Sequence, residues 1–181
     1  VYVSRLDEEW FKDRKEAPLD KIRLLYVGRI SPEKGIFNFI KMFDEIKNKF
    51  HFSVVGNLKK HKISDNNINL INYVSSTKEL INIYDRNNIT ILPSYTEGSP
   101  NVVHESLSRK RPVIIFEDID YIIKDKKGIF VSKRDPQSFL QTAKNIIENY
   151  KHIQKEMEKN VLPTKNNMVK QISDIIESEI F

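Results

Sequence analysis

The chain has 181 residues, 39% of them hydrophobic and 30% charged, with no cysteine and a formal net charge of +5; that length suits one domain of roughly 100–200 residues with a sizeable core. No apolar run approaches the roughly 20 residues of a membrane span and no signal-peptide pattern opens the sequence, while the lack of cysteine rules out disulfides and thiolate-bound zinc and permits a reducing compartment. The positive balance would suit phosphate-rich ligands, nucleic acid or an anionic membrane face, but the lysines are spread along the chain with no tight Lys/Arg block among aromatics, so most are read as solvating.

Val1–Asp20 reads as a short extended piece and a charged connector, Phe11–Asp20, which Trp10 and Phe11 pin down. Ile22–Val27 is a continuous apolar run, the pattern of a strand covered on both faces of a parallel sheet. Gly28–Arg29–Ile30–Ser31–Pro32–Glu33–Lys34–Gly35 interrupts it, and from Ile36 the period becomes helical, with Ile36, Phe39, Ile40, Phe43 and Ile46 on one face. Phe52–Val55 is a second strand, Lys59–Asn69 a polar loop, Ile68–Val74 a third strand, and Thr77–Arg86 a helix with Leu80, Ile81 and Tyr84 inward. Ile89–Leu92 is a fourth strand, followed by a polar loop and a helix over Asn101–Arg109. Pro112–Phe116 and Gly128–Val131 are the fifth and sixth strands, with an ambiguous stretch, Glu117–Lys127, between them and a short helix expected around Tyr121–Ile123. Asp135–Pro136 starts a helix in which proline is tolerated in the first turn, and Phe139, Leu140, Ala143, Ile146, Ile147 and Tyr150 face inward. Helical pieces over His152–Asn160 and Asn166–Ile180 finish the chain.

This alternation predicts an α/β fold: a Rossmann-like doubly wound parallel sheet of about six strands with helices on both faces. Ligands in such sheets bind beyond the carboxyl ends of the strands. Two glycine-bearing loops, Gly28–Gly35 and Pro93–Pro100, leave such ends and should meet at one cleft. In the first, glycine lets backbone approach a ligand, while Arg29 and Lys34 could clamp a pyrophosphate. No Gly-Lys-Ser/Thr follows, and the spacing is not that of a dinucleotide fingerprint. The second loop carries Glu97 and leads to Glu105 with seven residues between them. Backbone amides at a helix N-terminus lie between, a physical setting for an anion. Two acceptors beside an anion site suit a ligand with both phosphate and hydroxyls, such as a sugar nucleotide. Spacing alone leaves open that Glu105 is a helix-surface residue and Glu97 a loop charge. His104 and Glu105 are helical neighbours about 100° apart, so they cannot act together. His51, His61 and His152 form no cluster with carboxylates at zinc-like spacing, and no serine sits in a nucleophile elbow; no metal site is expected.

Taken in order, Gly28–Gly35, Leu92–Pro93–Ser94–Tyr95–Thr96–Glu97–Gly98–Ser99–Pro100–Asn101–Val102–Val103–His104–Glu105, Arg111–Pro112–Val113–Ile114, Gly128–Ile129–Phe130–Val131 and Asp135–Pro136 resemble the donor-binding, C-terminal half of a GT-B glycosyltransferase of retaining family 4, the group 1 glycosyltransferases. The resemblance runs from about Val1 to Tyr150. It implies that Gly28, Arg29 and Lys34 meet the donor diphosphate, that Glu97 is the catalytic residue on the sugar side, and that Glu105 takes the ribose. It further implies that backbone amides of Gly98, Ser99, Asn101, Val102 and Val103 hold sugar hydroxyls and phosphate, and that Tyr73 and Val74 lie near the nucleobase. It also implies a UDP- or GDP-sugar donor, metal-independent transfer of a hexose or related sugar, and a glycan or lipid-linked acceptor.

The sequence departs from the family at Pro100, where many members carry glycine, and at Ser106, Lys110 and Arg111, which replace small residues and glycine; these are read as retuning sugar choice or helix packing. Residues 1–20 then read as an interdomain-type connector, 21–150 as the nucleotide-sugar-binding domain, and 151–181 as helices that return to an N-terminal acceptor domain missing from this chain. A chain limited to this half is expected to be inactive alone, in the cytoplasm or at the inner face of the membrane, with no nucleic acid partner. The alternatives are a non-catalytic nucleotide- or anion-binding module and a fragment of a GT-B nucleotide-sugar epimerase.

Overall fold

The computed structural model describes residues 4–57 and 67–180, the last three of these by backbone alone. The start of the extended piece expected from Val1, and most of the Lys59–Asn69 loop with His61, lie outside the described residues.

Six parallel strands form one sheet. They are β1 (Ile22–Val27), β2 (Phe50–Gly56), β3 (Ile68–Asn72), β4 (Ile89–Leu92), β5 (Val113–Phe116) and β6 (Ile129–Ser132), in the order β3-β2-β1-β4-β5-β6. The chain moves outward from β1 in one direction and from β4 in the other, so β1 and β4 flank the switch point at which α/β sheets open a ligand crevice. The helices are α1 (Ile36–Phe43), α2 (Thr77–Arg86), α3 (Asn101–Ser108), α4 (Pro136–Glu148), α5 (Tyr150–Met157) and α6 (Lys165–Ile180). Alternate side chains of β1 divide between two apolar clusters, as the strand period requires. Leu24 and Tyr26 join α1, α3, α4 and α5 on one face; Leu25 and Val27 join Ile81, Ile83 and Tyr84 of α2 on the other. Phe39, Phe43, Phe50, Phe52, Phe116 and Phe139 pack ring against ring in the larger cluster.

Boundaries differ from expectation where a side chain is buried without regular structure. α1 stops at Phe43, yet Ile46 stays 4% exposed on a turn that leads into β2 two residues earlier than its apolar core suggests. The ambiguous stretch contains a 3-10 helix, Glu117–Ile122, held by buried Ile119 and Ile122. β3 ends at Asn72, leaving Tyr73 and Val74 beyond the sheet.

The segment before β1 is bound tightly for a charged connector. Leu6 and Trp10 are buried in the smaller cluster. Two arginines, each 1% exposed, reach it from the far end of α3. Arg109 donates to the carbonyls of Trp10, Lys12 and Asp13 and to both oxygens of buried Asp85, while Arg111 donates to the carbonyls of Lys15, Asn87 and Asp85. Each guanidinium carries five donors in a planar fork, enough to serve several carbonyls at once. Ser106 donates to Arg111 O and lies 2.7 Å from Thr90 Oγ1, and Lys110 takes a left-handed φ of 53°. All three positions therefore sit in the packing at and just beyond the end of α3. α5 enters the core through Tyr150, Ile153 and Met157, whereas α6 exposes Val169, Ile172, Ile175 and Ile176.

Candidate functional site

The loops that leave β1 and β4 do meet. Gly35 ends the first loop at φ 66°, and a Cβ there would lie 1.9 Å from Pro93 O; only glycine allows the two backbones so close. The Tyr95 N–H donates to Glu33 O across the same junction. Arg134, just before α4, fixes the second loop from behind. It donates to Pro93 O and Ser94 O, pairs with Asp118 at 2.7 Å, and lies 4.1 Å over the Tyr95 ring.

The junction opens into a cleft of about 810 Å³ lined by Gly28, Arg29, Lys34, Tyr73, Val74, Glu97, Asn101, Val102 and Glu105, and also by Arg5, Trp10 and Lys165. That volume lies within the usual range for ligand sites, about 300–1,000 Å³. Lys34 Nζ lies 2.7 Å from Glu97 Oε1, with the two side chains 21% and 8% exposed. The same oxygen accepts a 2.6 Å bond from the buried Ser94 hydroxyl. The Tyr121 hydroxyl accepts from the Glu97 N–H and donates to its carbonyl, so the Glu97 backbone is held as well. Arg29 is three-quarters exposed and pairs with Glu33 at 3.6 Å. The expected clamp is therefore two cations on one wall, each with its own carboxylate.

Glu105 faces the cleft from α3, 4% exposed, and accepts a 2.8 Å bond from the Tyr84 hydroxyl. Burial pushes the Glu105 carboxyl above the usual range, while the bond from Tyr84 and the charge of Arg5 oppose that shift. Burial beside Glu105 likewise pushes the Tyr84 hydroxyl well above its ordinary value, so Tyr84 remains a donor. His104 turns away, as the helical angle requires. It lines a separate small pocket with Gly98, Ser99, Val103, Lys124 and Lys126. Burial, then the charges of Lys126 and Lys124, pull its pKa down to about 4.

The residues of the expected amide run are shared between the two pockets. Asn101 and Val102 face the main cleft, whereas Gly98, Ser99 and Val103 line the small pocket. The Val103 N–H is already bonded to Pro100 O at 3.1 Å, which removes it as a donor. The physical reason is Pro100 itself: it holds the N-cap position with extended backbone, has no N–H, and its carbonyl closes the first turn. Tyr73, 68% exposed, and half-buried Val74 stand at the cleft wall beyond β3. No group of three or more His, Asp or Glu able to hold a metal occurs among the described residues.

The sequence pattern of the family described as glycosyl transferases group 1 matches residues 7–162. The chain belongs to that family. Among relatives of this group 1 glycosyltransferase, the capsular polysaccharide biosynthesis glycosyltransferase CapM of Staphylococcus aureus is 28% identical over 162 residues, covering 81% of this chain and 41% of CapM. The putative teichuronic acid biosynthesis glycosyltransferase TuaC of Bacillus subtilis strain 168 is 28% identical over 107 residues, covering 59% of this chain and 28% of TuaC. The chain thus spans less than half the length of these curated relatives. Sucrose-phosphate synthase from Thermosynechococcus elongatus superposes with a TM-score of 0.71 at 16% identity, over 90% of this chain and 46% of that one. Anabaena HepE, solved with UDP and glucose, gives 0.70 at 12% identity over 97% of this chain and 53% of that one. At such identities the superpositions show a shared fold.

Tyr84, Ser94, Tyr121 and Arg134 hold the site of this group 1 glycosyltransferase together, and sequence reading missed them in that role. Tyr84 carried only an inward-helix signal, and Ser94 only its place three residues before Glu97. Arg134 and Tyr121 act from the other side of the sheet order, through contacts that no local spacing encodes.

Proposed function

We propose that this chain is the donor-binding half of a retaining GT-B glycosyltransferase of family 4, transferring a hexose or related sugar from a UDP- or GDP-sugar to a glycan or lipid-linked acceptor. The observation that carries this reading is the pairing of Lys34 with Glu97 in the cleft that also holds buried Glu105, at the carboxyl ends of β1 and β4. Cations, hydroxyl acceptors and an exposed aromatic line one cleft, groups suited to the diphosphate, the sugar and ribose, and the base of a sugar nucleotide. Arg29 and Lys34 would take the leaving diphosphate, with no metal required. Glu105 would accept hydrogen bonds from the ribose diol, and Glu97 would accept from sugar hydroxyls and favour positive charge developing at the anomeric carbon. The exposed Tyr73 ring offers a stacking surface for the base, and Asn101 and Val102 offer amides at the start of α3.

The surface-polysaccharide roles named for CapM and TuaC suggest an acceptor of that class, met at the cytoplasmic membrane face. The remainder of the catalytic machinery would come from an N-terminal acceptor domain. Binding stabilises the fold by RT ln(1 + [L]/Kd), about 2.7 kcal/mol at a hundredfold excess over Kd. A thermal-shift screen with UDP, GDP, UDP-glucose and GDP-mannose should therefore raise the melting midpoint with one base series, and Glu105→Ala should abolish the rise. The proposal fails if no nucleoside diphosphate shifts the wild-type chain, and the ribose assignment fails if the variant responds equally.

A further inference from the structure

We infer that the Lys34–Glu97 pair is a charge lock that makes the cleft bind an intact sugar nucleotide in preference to the bare nucleoside diphosphate left after transfer. This rests on the donor-binding reading above and adds to it a rule for which ligand stays.

The lock follows from one ammonium claimed by two partners. Lys34 Nζ is committed to Glu97 Oε1 at 2.7 Å, and it is also the less exposed of the two cations on the phosphate wall. A diphosphate in the cleft competes with Glu97 for it. Glu97 is only 8% exposed at its side chain, so water replaces a lost cation only in part, and a shielded carboxylate stripped of its partner is unfavourable. Ser94 supplies one bond to Oε1, and the backbone of Glu97 is fixed by Tyr121, so the carboxylate cannot swing out to solvent without breaking a buried contact.

Sugar hydroxyls can do what Lys34 did: they donate to the carboxylate. A ligand with both diphosphate and sugar therefore satisfies Lys34 and Glu97 together. The diphosphate alone takes Lys34 and leaves Glu97 short. The sugar thus contributes more to binding than its own bonds, and the product is bound less well than its phosphates alone would suggest. Arg29, paired outward with Glu33, supplies phosphate charge without entering this competition. That difference explains why one wall carries two cations in such unlike settings.

The test is calorimetric titration of UDP and GDP into the wild-type chain, Glu97→Gln and Ser94→Ala. Thermal unfolding should first show that both variants are folded. With whichever diphosphate the wild type binds, Glu97→Gln should bind it about fivefold tighter, because the ammonium then leaves a neutral acceptor in place of a charged one. Ser94→Ala should bind it more weakly, because Glu97 then depends more on Lys34. Opposite signs from two variants on the same oxygen are a pattern that general loosening of the loop cannot produce. Equal or weaker binding by Glu97→Gln, or equal or tighter binding by Ser94→Ala, overturns the lock while leaving the donor-binding reading intact. Failure of the wild type and both variants to bind either diphosphate overturns that reading, and the lock with it.

Discussion

Replacing Tyr84 with phenylalanine removes one oxygen and deprives the Glu105 carboxylate, 4% exposed, of the 2.8 Å bond it accepts there. The ring stays, so the edge-on contact with Trp10 at 5.7 Å survives and no cavity forms. A hydrogen bond to a charged group contributes about 1.5–3 kcal/mol, against about 1 for a neutral pair. Burial already holds the Glu105 carboxyl above its ordinary pKa, and losing the bond raises it further. A raised carboxyl costs stability as pH rises through its folded pKa, because the unfolded chain gives up its proton at lower pH. The substitution should therefore cost about 2 kcal/mol near pH 8 and less near pH 5, because lowering the pH favours the protonated carboxyl, whose bond with Tyr84 is the weaker, neutral kind. In a chain of this size each kcal/mol moves the melting midpoint by about 2–4 °C, so a fall of about 4–8 °C is expected near pH 8. Melting curves of wild type, Tyr84→Phe, Glu105→Gln and the double variant at both pH values supply the cycle. A fall of under about 1 °C near pH 8, or a larger fall near pH 5 than near pH 8, would refute the claim that Tyr84 holds a charged Glu105.

Among the described residues, Arg109→Met leaves buried Asp85 with Arg111 at 3.7 Å as its remaining cation and strips the carbonyls of Trp10, Lys12 and Asp13. Urea unfolding should show a loss of about 3–5 kcal/mol, with faster tryptic cleavage after Lys12. Gly35→Ala places a methyl carbon 1.9 Å from Pro93 O at a φ of 66°; it should cost more than about 2 kcal/mol and weaken nucleoside diphosphate binding in the same preparation. For His104, burial and the neighbouring lysines hold the folded pKa at about 4, while the unfolded value is about 6.5. The unfolded chain takes the proton first, so stability falls as pH drops from about 6.5 to about 4 and then levels. His104→Gln should flatten that slope in urea titrations run across this window.

Much of the frame was readable because each element announces itself locally. Ile22–Val27 and Ile89–Leu92 are apolar runs with no polar residue to blur their ends beyond Arg23 and Thr90, and both strands keep those limits. α2 keeps its limits too, with Ser76 accepting from the Glu79 N–H at its start. The meeting of the two glycine loops followed from their both leaving the carboxyl ends of strands in a doubly wound sheet. What escaped was nonlocal. Nothing near Arg109 or Arg111 signals that two cations after a helix will be buried against residues 10–16, because the partners are mostly backbone carbonyls with no side-chain signature. The sharing of residues 98–103 between two pockets, and the loss of the Val103 N–H to the Pro100 carbonyl, were equally hidden. Glu105 was legible as a site residue only through the family resemblance, since its spacing from Glu97 left a helix-surface place open, whereas its burial and its bond to Tyr84 depend on how α2 and α3 pack against opposite faces of adjoining strands.

The contact between Gly35 and Pro93 changes how this groove could be altered. Two surface loops far apart in the chain look like independent targets for randomisation, one for phosphate and one for sugar. With backbone against backbone they form a single mechanical part, and Arg134 bolts that part to α4. A library that varies residues 29–34 and 94–99 separately would mostly return misfitted halves. Sugar preference in this scaffold should travel as a matched pair of loops, transplanted together with their arginine.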